Sequence, residues 1–78
     1  MYYAYLLKLS NGDFYAGSTA NIQRRLSSHQ KGQNKATKHL RPVKLIWCGM
    51  FATRKLAEDF EKYLKTSSGF AFRNKRLI

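Results

Sequence analysis

Of the 78 residues only four are Asp or Glu, against fifteen Lys and Arg, a formal net charge of +11. Three of those four acids, Glu58, Asp59 and Glu61, crowd into one helical turn. So basic a surface attracts polyanions, because Lys and Arg that neutralise phosphates release condensed counterions. Hydrolysing a phosphodiester needs a positioned water, a group to take its proton, and positive charge where the transition state gathers negative charge. Candidates for each are present: the phenols of Tyr5 and Tyr15, the guanidinium of Arg25, the imidazole of His29 and a carboxylate from the acidic turn. One carboxylate is adequate for Mg²⁺, which keeps several waters and binds through one or two carboxylates plus substrate phosphate.

Each group also has a plainer reading. At about 100° per residue, Arg25 and His29 border the apolar stripe of Ile22 and Leu26, while Arg24 points to the opposite side. Arg25 is then held at the protein face, where a planar guanidinium grips phosphate bidentately, and Arg24 is free in water. One Cys and two His do not make a zinc site at these spacings. His29 can donate to phosphate, orient Tyr5 or Tyr15, or simply satisfy a backbone carbonyl. His39, in a polar loop, is a phosphate contact or solvated. On the second helix Glu58 points outward, whereas Asp59 and Glu61 border the apolar face on opposite sides, so periodicity does not choose between them. Glu61 can also pair with Lys65 at i, i+4, worth about 0.3–0.5 kcal/mol. A phenol titrates near about 10 and is mostly protonated at neutral pH. Arg25, Lys8 or a metal would lower that value, or the phenol relays a proton without becoming a free phenolate.

The elements that position these groups follow from local pattern. Tyr2 to Leu9 and Asp13 to Ser18 read as a hairpin. With Ser10 and Asn11 in a type I turn and Gly12 left-handed, a three-residue loop sets Tyr15 opposite Leu7 and puts Tyr3, Tyr5, Tyr15 and Gly17 on one face. A two-residue loop would pair Tyr15 with Lys8 and separate the two phenols. Asn21 caps a helix over 22–31 that Gly32 ends, and residues 32–41 read as a polar basic loop. Val43 to Ala52, nearly all apolar, reads as an inner strand buried on both faces. Thr53 caps a helix over 54–65 whose Leu56, Ala57, Phe60, Tyr63 and Leu64 form its apolar face. The tail from Ser68 reads as a short basic helix, with Phe70 and Phe72 docking on the core. The result is one domain over 1–78, of α/β (α+β) class: a small three-stranded antiparallel sheet flanked by helices. Cys48, alone, reads as a small buried hydrophobe, and with no leader or spanning segment the expected location is cytoplasmic.

The tripeptides Tyr3-Ala4-Tyr5 and Tyr15-Ala16-Gly17, followed by Ser18, Thr19, Asn21, Arg25 and His29, resemble a GIY-YIG nuclease domain. Glu61 to Lys65, a Glu-Lys-x-x-Lys pattern before a Gly and a basic tail, is similar to the small stand-alone bacterial members. Two positions depart: Tyr3 stands for the first Gly and Ala16 for the middle Ile. The resemblance implies metal-dependent hydrolysis of DNA with Mg²⁺ or Mn²⁺. Tyr5 and Tyr15 would activate water, Arg25 would steady the phosphate with His29 as its helix partner, and Glu61 would hold the metal. Asn74 matches the family's late asparagine loosely, and Ser18 stands where some members carry Lys. Lys8, Lys35, Lys38, His39 and Arg41 are the further expected nucleic-acid contacts. Targeting is expected to come from charge, a protein partner or a homodimer. A rival reading is a non-catalytic module that binds DNA or RNA through the same basic surface.

Overall fold

The computed structural model describes residues 1–66. The expected tail helix, the docking of Phe70 and Phe72, and Asn74 lie outside the described residues. In chain order the elements are β1 (Tyr2–Lys8), β2 (Phe14–Thr19), α1 (Ile22–Gln30), β3 (Lys44–Phe51) and α2 (Arg54–Leu64). The strands make one antiparallel sheet in the order β2-β1-β3.

The hairpin takes the three-residue loop. Gly12 N–H donates to the Leu9 carbonyl at 3.0 Å and Leu9 N–H to Asp13 at 2.8 Å. Gly12 has φ +90, a left-handed conformation that costs a Cβ-free residue little. Leu7 therefore pairs with Tyr15 and Tyr5 with Gly17. Residues of odd number on β1 and β2 face α1 and the following loop, where Tyr5, Leu7, Leu9 and Val43 pack with Tyr15, Ile22, Leu26, Leu40 and Cys48. The other face meets α2 through Leu6, Ala16 and Leu64, with Phe14, Ile46, Trp47 and Phe60.

Both helix caps are as expected. The Asn21 side chain accepts from Arg24 N–H and the Thr53 side chain from Leu56 N–H. At the end of α1, Gly32 N–H donates to His29 and Gln33 N–H to Ser28, a Schellman closure with Gly32 at φ +77.

Two expectations are corrected. β3 is an edge strand, and β1, with Ala4, Tyr5, Leu6 and Leu7 buried, is the centre. An unbroken apolar run records how much surface a strand covers but not which strands flank it. The apolar residues of β3 divide between the faces: Cys48 packs beside Tyr5 on the α1 side, a bulge opposite Leu6 and Leu7 lets Ile46 and Trp47 both reach the α2 layer, and Met50 stays 64% exposed. Leu56 is 50% exposed, so the buried stripe of α2 runs through Ala57, Phe60, Glu61 and Leu64 instead. No helix among the described residues is long and apolar enough to cross a membrane.

Candidate active site

Gly17 is where the two phenols are brought together. A Cβ there would fall on the Tyr5 ring, so its absence lets the phenol lie across β2. The Tyr5 hydroxyl then sits 2.9 Å from His29 Nε2, and His29 Nδ1 sits 2.8 Å from Thr37 Oγ1. His29 occupies the last turn of α1, and Thr37 is pinned by a turn in which its N–H donates to Asn34 and its carbonyl accepts from Leu40. All three side chains are sealed from water: Tyr5 is 1% exposed, His29 and Thr37 are 0%. Tyr15 stands edge-on to the same imidazole, ring centres 5.2 Å apart, and is only half-buried. The Arg25 guanidinium is near enough to the Tyr5 phenol to oppose the rise in its pKa, though Arg25 itself is exposed. Arg24, expected to point to the opposite side, lines the groove described below together with Arg25.

Burial pushes the Tyr5 phenol up to about 12, the nearby Tyr15 adds to this, and Arg25 only partly opposes it. At Tyr5 the expected lowering by Arg25 is present but outweighed by burial, because a sequence shows which charges are near but not how dry the site is. Burial, then the Arg25 charge, lowers the His29 value, so this imidazole is neutral at neutral pH.

Glu61 approaches β2 from the other face. Ser18 Oγ donates to its Oε1 at 2.6 Å, and Lys65 Nζ donates to its Oε2 at 2.8 Å. Burial alone would raise the carboxyl value, but hydrogen bonds from Lys65 and Ser18 and the charges of Lys65 and Lys62 outweigh it, and the net shift is downward. Asp59, the alternative that periodicity left open, pairs in solvent with Lys55 at 3.2 Å. No group of three or more His, Cys, Asp or Glu side chains gathers among the described residues. One ionised carboxylate at the sheet edge, with Lys65 as its displaceable partner, fits a water-rich Mg²⁺ site completed by substrate phosphate, not a caged metal.

A groove of about 800 Å³ runs past Ser18 and Asn21, with Arg24, Arg25, Lys31 and Arg54 on its walls. Arg54 stands over the Tyr2 ring, 5.2 Å from its centre. Of the expected nucleic-acid contacts, Lys8, Lys35, Lys38 and His39 are exposed. Arg41 is exposed too, but its Nε donates to the Lys38 carbonyl and its Nη1 to Gln30, which ties the loop to the end of α1. Sequence reasoning missed Thr37, Ser18 as the Glu61 donor, and Lys31 and Arg54 as groove cations. The Thr53 cap, which fixes where α2 begins, was the one available signal for Arg54.

A family profile described as the GIY-YIG catalytic domain matches residues 1–76. The UPF0213 protein of Bacillus pumilus is 41% identical over 66 residues, spanning 83% of this chain and 67% of its own length. That of Staphylococcus saprophyticus is 38% identical over 68 residues, spanning 86% and 83%. The solution NMR structure of the UPF0213 protein of Bacillus halodurans is similar in fold, with a TM-score of 0.56 and 27% identity over 91% of this chain and 80% of that one.

Proposed function

The chain belongs to the GIY-YIG family, among its UPF0213 proteins, and from that membership we propose that it is a metal-dependent DNA endonuclease or nickase of low intrinsic sequence preference. The observation that carries this reading is the gathering along β2 of two phenols, a guanidinium near one of them, and the ionised Glu61 carboxylate. A module that only binds phosphate gains nothing from a carboxylate held there. Tyr15, the more exposed phenol, faces the attacking water, and Tyr5 stands behind it with His29 as its partner. With Tyr5 at about 12, no phenolate is needed at the outset, and the proton passes through the phenol as a relay. Arg25 holds the phosphate and offsets its developing charge. Glu61 would hold Mg²⁺ or Mn²⁺, which when bound polarises the phosphate and stabilises the leaving oxygen.

The second reading, a non-catalytic DNA or RNA binder, is favoured by one observation: both Glu61 oxygens already have protein partners. The groove and its arginines would be sufficient for that role. Incubating the protein with supercoiled, single-stranded and branched DNA, with Mg²⁺, with Mn²⁺ and with EDTA, separates the two. The nuclease reading expects metal-dependent nicks or cuts, lost in Glu61→Ala and Arg25→Ala while most DNA binding survives. Binding without metal-dependent products on any substrate leaves the binder.

A further inference from the structure

β2 has a neighbour on one side only: in the order β2-β1-β3 its outer edge meets no other described strand. The ladder to β1 determines which main-chain groups look out of that edge. Leu9 N–H donates to the Asp13 carbonyl, so these two form a hydrogen-bonded pair, and such pairs alternate with unbonded ones along an antiparallel ladder. The register continues from Lys8 opposite Phe14 to Tyr3 opposite Thr19 without a break. Tyr15, Gly17 and Thr19 therefore turn their N–H and C=O groups inward, to Leu7, Tyr5 and Tyr3. Ala16 and Ser18, opposite Leu6 and Ala4, turn theirs outward. Of these two, Ser18 is half-buried and lines the groove walled by Arg24, Arg25, Lys31 and Arg54, whereas Ala16 is buried.

The two faces of the sheet add a second constraint. Tyr15 stands on the α1 side, whereas Glu61 accepts from the Ser18 hydroxyl on the α2 side. One phosphate can be reached from both sides only around an edge of the sheet, and the β3 edge lies two strands further off, about 10 Å. We propose that the Ser18 main-chain N–H is a phosphate-binding donor: a phosphodiester of the bound nucleic acid lies across the open edge of β2 with one of its oxygens on this hydrogen. The inference rests on the nucleic-acid reading that nuclease and binder share, and under the nuclease reading this is the phosphate that Arg25 steadies. The Ser18 carbonyl looks out of the same edge, so the strand alone is no anion site. The four groove cations supply the attraction, and the N–H fixes where the phosphate stops. Ser18 then acts twice at this edge. Its hydroxyl holds Glu61 and its main-chain hydrogen holds the phosphate, which places carboxylate and anion relative to a single residue.

The test is amide hydrogen exchange of the full chain in EDTA, followed by NMR, free and with a short DNA oligonucleotide. In the free chain the Ser18 amide should exchange quickly and that of Gly17, inside the ladder, slowly. A Ser18 amide as protected as Gly17 already has a partner in the protein and overturns the proposal. With DNA bound, the Ser18 amide proton should move downfield and its exchange should slow about ten- to a hundredfold, as for a hydrogen bond to a charged acceptor. DNA that binds and shifts the Arg24, Arg25 and Arg54 resonances while Ser18 exchanges as before overturns the proposal and leaves the nucleic-acid reading intact. Substitution gives an independent measure. Ser18→Ala removes the hydroxyl, and Ser18→Pro removes the amide hydrogen as well, at an edge position where proline breaks no ladder bond. Ser18→Pro should bind the oligonucleotide about ten- to a hundredfold more weakly than Ser18→Ala. Equal affinities overturn the proposal. If Ser18→Pro does not fold, the wild-type exchange rates still decide. DNA held at Ser18 but never cut with Mg²⁺ or Mn²⁺ upholds this inference and defeats the nuclease reading, whereas a chain that binds no DNA defeats both.

Discussion

Tyr5→Phe isolates the buried hydrogen bond from the packing around it. The ring stays in its place over Gly17, and only the hydroxyl is removed. His29 Nε2 then loses its partner in a site with no access to water. A buried polar group left unsatisfied costs about 1–3 kcal/mol. Arg25, which is exposed, stays solvated and adds nothing to this cost. Taking about 2 kcal/mol, and about 4–8 °C per kcal/mol for a domain of this length, Tm should fall by about 8–16 °C. Trp47 reports this well: it lies in the α2 layer, stacked on Phe60 with ring centres 5.1 Å apart, away from the altered face. Urea unfolding followed by its fluorescence should show a lower midpoint at unchanged m-value. The same variant has an alkaline signature. The folded-state pKa of Tyr5, about 12, lies above the ordinary 10.0. The folded protein therefore binds this proton more tightly than the unfolded chain, and the stability it contributes is complete below about pH 10 and lost as pH rises toward about 12. Tyr5→Phe should lack that decline. A midpoint displaced by less than about 0.5 kcal/mol, together with an alkaline limb identical to wild type, would refute the reasoning, since surface substitutions alone span that range.

Three further outcomes are expected. The lowered carboxyl of Glu61 contributes stability that is present above the ordinary value of 4.5 and lost as pH falls below it, so Glu61→Gln should flatten the acid limb of a urea-midpoint profile. Lys65→Met frees the Oε2 that Lys65 now occupies, and Mn²⁺ binding to the protein–DNA complex, read by EPR, should tighten about twofold, in line with a largely exposed i, i+4 pair. DNA affinity should fall steeply with salt, and Arg24→Ala and Arg54→Ala should each reduce the slope of log K against log salt by about one without altering preference among sequences.

What could be read in advance was local. Gly12 after Ser10 and Asn11 settles the hairpin loop, and with it the shared face of Tyr5, Tyr15 and Gly17. Asn21 and Thr53 mark their helices because their side chains have a definite backbone partner. What escaped depended on partners distant in sequence. β3 and β1 are both apolar runs, and the central place goes to β1 because both hairpin partner and β3 pair with it. Asp59 and Glu61 are separated only by the tilt of α2, which buries Ala57 and Leu64 and exposes Leu56. Thr37 lies in a stretch without periodicity, and nothing about its neighbours announces a buried hydroxyl. The rise of the Tyr5 pKa is likewise a property of enclosure, invisible until Tyr5 is seen buried against the imidazole of His29.

The turn at residues 10–12 makes the hairpin sensitive to parity. Removing Asn11 would carry Tyr15 and Gly17 through the sheet to the α2 side and bring Ala16 and Ser18 to the side of His29. The Tyr5 ring would then meet a side chain where it now crosses bare backbone, and Glu61 would lose its hydroxyl donor in the same event. A two-residue insertion leaves every side chain on its present face. Length variants of this turn should therefore fall into two groups, odd changes without function and even changes that retain it, with no graded series between them.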